Sequence, residues 1–170
     1  MRMTISACEG RDTASPGVRV ETLLLRCHPT KGLAYRRRVA ALVGAVSPDQ
    51  MARRLALLGD DGDLHLVHST SWRATADGHI VLTYLVHPDP DPSRPAVSLS
   101  GPLTIARSHR PDCPTPPRLE LSHVVAHAVR HLAFLERTDP AVAAHLLTWP
   151  DMRRALTAVP GVTAGELQRA

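Results

Sequence analysis

The chain has 170 residues, a net charge of +4 from 20 basic and 16 acidic side chains, and 44% hydrophobic residues. That length can bury a core without disulfide or metal staples. No apolar run approaches the roughly eighteen residues of a membrane-spanning helix, and Met1 to Gly10 lacks the apolar stretch of a secretory leader. Cys8, Cys27 and Cys113 are scattered and form no CxxC pair, which fits free thiols in a reducing cytoplasm.

Lys31 is the single lysine, so the basic balance is carried by arginine in an Ala- and Pro-rich chain. Coding bias explains that choice as well as phosphate recognition does. The placement says more. Arg19, Arg26, Lys31, Arg36, Arg37, Arg38, Arg53 and Arg54 face only Glu21 and Asp49 across residues 19–54. Such a one-sided field steers anions. With Tyr35 the one aromatic nearby, it does not point to nucleic acid.

Residues 1–17 read as a disordered lead-in and 18–170 as one α+β domain. Val18 to Arg26 predicts a strand. Tyr35, Val39, Leu42, Val43 and Val46 share a helical stripe and predict a helix over Leu33 to Val46. Ser47, Pro48 and Gln50 supply an N-cap, a first-turn proline and a capping box for a second helix. Leu64 to Thr75 and His79 to His87 flank Asp77-Gly78, a two-residue hairpin signal. That turn pairs His68 with His87 and Trp72 with Thr83, and both faces of the hairpin mix polar and apolar groups. The hairpin is therefore expected at the centre of a small antiparallel sheet. A bent strand over Ala96 to Arg107 and a Pro-rich loop over Ser108 to Arg118 follow. Three C-terminal helices end the chain, the first at 121–136 and the last closing at Pro160-Gly161.

The first of those helices carries the chemistry of interest. Val124, Val125, Ala128, Val129, Leu132 and Leu135 project to one face, and His123, His127, Arg130, His131 and Phe134 to the other. No carboxylate, Lys or Gln falls between His123 and Leu135, so this polar face suits a second contact surface better than water. Imidazoles four residues apart fit metal ligation. The Glu of a HExxH motif is absent, however, and Arg130 shares the stripe, which favours holding an anion. The hairpin adds His68, Ser69, Thr70, Ser71, Trp72, Arg73, Tyr84 and His87, dense in hydroxyls that need partners when buried.

His28-Pro29-Thr30 and His68-Ser69-Thr70 both have the form His-x-Thr. Paired motifs of this form mark the two-histidine phosphoesterases, which grip a phosphodiester and shuttle protons. The chain resembles that family through these six residues alone, with a short spacing and a proline after the first histidine, and membership is not assigned.

The sequence reading is a small cytoplasmic enzyme with a pocket between the hairpin and the histidine helix. His68 or His127 is the expected acid–base group. Arg130 or Arg73 is the anion anchor, and Ser69, Thr70, Ser71, Trp72, Tyr84, His87, His123 and His131 line the site. The expected ligand is an anionic small molecule. The rival readings are a non-catalytic protein that recognises an acidic partner, and a metal- or haem-binding protein that uses its histidines.

Overall fold

The computed structural model describes residues 17–59, 64–108, 110, 112, 116 and 118–160. Its elements are β1 (Val18–His28), β2 (Gly32–Ala41), α1 (Pro48–Ala56), β3 (Leu66–Ala74), β4 (Ile80–His87), β5 (Val97–Ser98), α2 (Leu121–Thr138), α3 (Pro140–Leu147) and α4 (Pro150–Thr157). The class is α+β. The sheet has the order β3-β4-β1-β2-β5, with β1 and β4 parallel and the other neighbours antiparallel.

β1 is the centre of the sheet. Its residues Val20 to Leu25 are six in a row with no more than 1% exposure, because both sheet faces are covered there. Leu23 and Leu25, with Leu33, Tyr35 and Leu85, pack under Val125, Val129 and Leu132 of α2, Leu146 of α3 and Met152 and Leu156 of α4. Val20 and Leu24, with Tyr84 and Val86, meet Ala52 and Ala56 of α1 on the opposite face.

The helix expected over Leu33 to Val46 is instead the strand β2, paired with β1 from Arg19↔Ala41 to His28↔Gly32. The same residues carry two periods. Tyr35 and Val39 recur at helical spacing, but Leu33, Tyr35, Arg37 and Val39 also alternate. Gly32, at φ 72°, closes a tight turn straight after β1. Pairing with a buried neighbour then overrides the helix propensity of Ala and Arg. The consequence is chemical. Arg36 and Arg37 leave opposite faces of the sheet, Arg36 toward Asp89 and Arg37 toward Glu21.

α1 begins as its sequence requires. Ser47 accepts from the Gln50 amide, the Gln50 side chain accepts from the Ser47 amide, and Pro48 takes the first turn. The helix stops at Leu57, which adopts the left-handed conformation at φ 59°, two residues before the expected Gly59. Tyr84 donates to the Asp49 carboxylate at 2.5 Å and so ties the first turn of α1 to β4. Burial and that carboxylate push the phenol up to about 12. Tyr84→Phe is expected to cost about 1–2 kcal/mol, the worth of one hydrogen bond to a charged, partly solvated acceptor. Urea unfolding checks this, together with faster hydrogen exchange in α1.

The hairpin forms, but at one end of the sheet, with β3 as an edge strand. Its loop holds three residues, Ala76, Asp77 and Gly78. The Gly78 amide donates to Thr75 and the Thr75 amide to His79, and Gly78 has a φ of 83°. This is a turn followed by a left-handed glycine. It moves the register by one residue, and a bulge at Thr70 moves it by one more. His68 therefore stands opposite Leu85, and His87 opposite Leu66. Two shifts of one restore the parity, so His68 and His87 still share a face. Trp72 crosses the bulge to the other face and lies 69% exposed.

The strand expected over Ala96 to Arg107 shrinks to Val97–Ser98 on the edge of β2. The expected lead-in, apart from Gly17, lies outside the described residues, as do Cys8, His109, Cys113 and Gly161. Among the described residues no helix is long and apolar enough to cross a membrane.

Candidate functional site

α2 and α3 bring a seam of histidines onto the hairpin. His131 of α2 meets His68 of β3, Nε2 to Nε2 at 3.3 Å. His127 stacks on His131 one helical turn earlier, with ring centroids 6.1 Å apart. Further along, His87 of β4 meets His145 of α3, Nδ1 to Nε2 at 3.0 Å, and takes the Trp149 ring edge-on. The α2 stripe thus packs on the hairpin at His68, while His87 finds its partner one helix later. Every one of these rings is held below its ordinary imidazole pKa by burial. His87 falls to about 3, from burial first and from the neighbouring His145 and His65 second. The seam is neutral and packed at neutral pH.

The expected anion anchors are occupied. Arg73 donates to Glu21 Oε1 and Oε2 at 2.9 and 2.7 Å and to the Thr83 hydroxyl at 2.9 Å. Arg130 donates to the carbonyls of Pro160 and Leu103 and pins α2 to the segments around them. His123 caps its own helix by accepting from the Glu120 amide at Nδ1. Thr70 donates to the Thr83 carbonyl, which satisfies the bulge. Ser69 is exposed beside Tyr84, and Ser71 stands across from Thr83. The hydroxyls of the hairpin are divided between its two faces by the bulge and do not converge on one point.

A cavity of about 580 Å³ lies elsewhere, at the ends of β1 and β4. Its walls are Arg26, Cys27 and His28 of β1, Lys31 and Gly32 of the turn, His87, Pro88 and Asp89 after β4, and Trp149, Pro150 and Asp151 at the start of α4. Of the residues expected at the site, His87 alone lines it. The backbone reason is topological. β1 and β4 run parallel, so both strands deliver their C-terminal residues to the same edge, where the α3–α4 junction closes over them.

The cavity's groups differ in availability. Asp89 is fully buried and accepts from Arg36 Nε at 2.8 Å, with Arg26 3.5 Å away. Arg26 also donates to the Pro92 and Arg94 carbonyls, at 2.6 and 2.9 Å, and so shapes the loop after β4. The Cys27 thiol is pushed up by burial and by the Asp151 carboxylate, and it donates to the Asp151 carbonyl at 3.5 Å. A raised thiol is a poor nucleophile.

His28 is the oriented group. Its Nδ1 accepts from the Thr30 amide at 3.3 Å and lies 3.1 Å from the Thr30 hydroxyl. The amide can only donate, so the proton of the neutral ring sits on Nε2. Thr30 of the His-x-Thr triplet therefore acts on its own histidine. The second triplet does not join it, since His68 is engaged by His131 outside the cavity walls. Lys31 has no hydrogen-bond or ion-pair partner among the described residues.

Compared with protein-family models, curated proteins and solved structures, the chain matches none. Its function is therefore argued from the residues themselves. Sequence reasoning missed His28, Lys31, Asp89, Trp149 and Asp151 as a set, because they come from the end of β1, the turn after it, the loop after β4 and the α3–α4 junction. Lys31 carried one signal, being the lone lysine of an arginine-rich chain. Among the described residues no group of three or more His, Cys, Asp or Glu side chains is placed to hold a metal ion.

Proposed function

We propose that the protein binds a small anionic molecule in the cavity at the ends of β1 and β4 and acts on it by acid–base chemistry. The observation that carries this reading is the cavity itself, with the oriented His28 and with Lys31, which has no partner among the described residues. Lys31 supplies the charge, since the neighbouring arginines are spent on Asp89 and on carbonyls. Trp149 offers a ring against which an apolar part of the ligand packs. His28 is the proton-transfer group, its tautomer held by Thr30 through Nδ1 so that Nε2–H is the working atom. Neutral His87 lends a fixed hydrogen-bonding wall and does not titrate in the working range. The reducing cytoplasm suits such a protein, where the free thiol of Cys27 persists.

A thermal-shift screen of small carboxylates and phosphates tests the binding step. Ligands that raise the midpoint are expected to be anions, and Lys31→Ala is expected to weaken them by about tenfold, the loss of one exposed charge contact. Hits confined to neutral or cationic compounds, or binding unchanged in Lys31→Ala, would overturn the reading. For any turnover found with a hit, His28→Ala is expected to lower kcat by about two orders of magnitude with a smaller change in KM.

A further inference from the structure

We propose that His68 and His131 form a two-imidazole site for a divalent transition-metal ion, with water completing the coordination. The site is separate from the cavity and does not depend on the reading above.

The argument rests on geometry. The two Nε2 atoms are 3.3 Å apart. Two nitrogens bound at about 2.0–2.1 Å to one tetrahedral ion stand about 3.3–3.4 Å apart, so the existing spacing is already the bite of a metal site. The ring centroids lie 5.3 Å apart. Two imidazoles radiating from one ion at that bond length place their centroids about 5.2 Å apart. In the metal-free pair one neutral ring donates its Nε2 proton to the Nε2 lone pair of the other. Binding of an ion at both Nε2 atoms moves that proton to the donor ring's own Nδ1, so both rings stay neutral and both Nε2 lone pairs reach the metal. Imidazole donors select zinc, copper or nickel over calcium or magnesium.

Access and rigidity also fit. His68 and His131 are each half-buried, so an ion reaches them from solvent and keeps exchangeable waters. One ligand comes from the edge strand β3 and the other from α2, on backbone held by the core beneath. The other imidazole pair offers no such opening: His87 is 1% exposed and its ring is covered by Trp149. The second shell of the His68–His131 site is sparse. Nδ1 of His131 has no hydrogen-bond partner among the described residues, whereas ligating imidazoles usually donate from their second nitrogen. The expected site is thus a micromolar one with open positions.

The test uses tag-free, chelator-stripped full-length protein titrated with Zn²⁺ and Cu²⁺ by calorimetry. One ion per chain is expected, with Cu²⁺ tighter than Zn²⁺. His68→Gln and His131→Gln are each expected to weaken Zn²⁺ by about a hundredfold, the upper end of what loss of even a supporting partner costs. His145→Gln is expected to leave the affinity unchanged. Absence of binding by the wild-type chain overturns the proposal. So does binding lost only in His123→Gln or His127→Gln, which would place the ion on α2 alone. Electron paramagnetic resonance of Cu²⁺ on the wild-type protein covers the case in which a variant does not fold. Hyperfine coupling to two imidazole nitrogens supports the site, and coupling to one or none rejects it.

Discussion

Glu21→Ala is expected to unfold the protein or bring it to the edge of unfolding. Glu21 sits on the central strand with 0% exposure, and its two oxygens accept from Arg73, Arg37 and Thr83. Burial alone pushes this carboxyl up, but the donors from Arg73 and Arg37 outweigh it and hold the group below its ordinary value. Removing the carboxylate strands the Arg73 guanidinium and the Thr83 hydroxyl against the sheet. Breaking a buried ion pair from one side costs about 3–5 kcal/mol, against about 5–15 kcal/mol in total for a typical domain. The Arg37 arm adds little, being partly solvated. Urea unfolding measures the loss. Arg73→Met leaves Glu21 the Arg37 and Thr83 donors and is expected to cost less. Equal and small effects of both substitutions would mean that the network contributes nothing net.

Acid is expected to destabilise the fold well above the carboxylate range, through His87. Its folded pKa of about 3 lies below the ordinary histidine value of 6.5. The unfolded chain therefore binds the proton more readily, and stability falls as pH drops below 6.5. The contribution is present at pH 7 and shrinks by about 2 kcal/mol by pH 5, since each pH unit between the two values is worth about 1.4 kcal/mol. The groups facing His87 are His145, His65 and Trp149, none of which offers a carboxylate to hold the charged ring. Unfolding free energies measured from pH 7 to 5 test this. His87→Asn is expected to flatten that part of the profile even where it lowers stability at pH 7. A profile as steep as the wild type would place the acid sensitivity elsewhere.

The two expectations have a common source, since both concern charge on the buried face of a mixed sheet. The basic excess over residues 19–54 looked like a field aimed at solvent. In the fold part of it is absorbed: Arg37 goes to Glu21, Arg36 and Arg26 go to Asp89, and Lys31 stands beside the cavity. Composition counts charges without saying which of them meet. Asp89 is 53 residues from the arginine it pairs with most closely, beyond any local pattern.

Local chemistry was legible wherever the partners are neighbours in sequence. The Ser47–Gln50 capping box, the strand of Val18 to Arg26, the Asp77-Gly78 hairpin and the buried stripe of α2 all follow from spacing of a few residues. So does the α+β class. The hairpin register was not legible. A three-residue loop and a bulge each moved it by one, and no residue in β3 announces a bulge. The expected pocket between α2 and the hairpin rested on that register and on free arginines. The contact between them exists at His68 and His131, but it is close packing of rings.

What the sequence alone determined is therefore the set of parts: which segments are stiff, which faces are apolar, and which imidazoles lie on one stripe. Tertiary structure decided two things beyond that. It turned Leu33 to Ala41 into a strand, because pairing with β1, buried from Val20 to Leu25, stabilises that segment more than its own helix propensity does. It also opened a cavity at the shared end of β1 and β4, away from the hairpin. That end exists only because two strands more than fifty residues apart run parallel, and no local property of either strand encodes it.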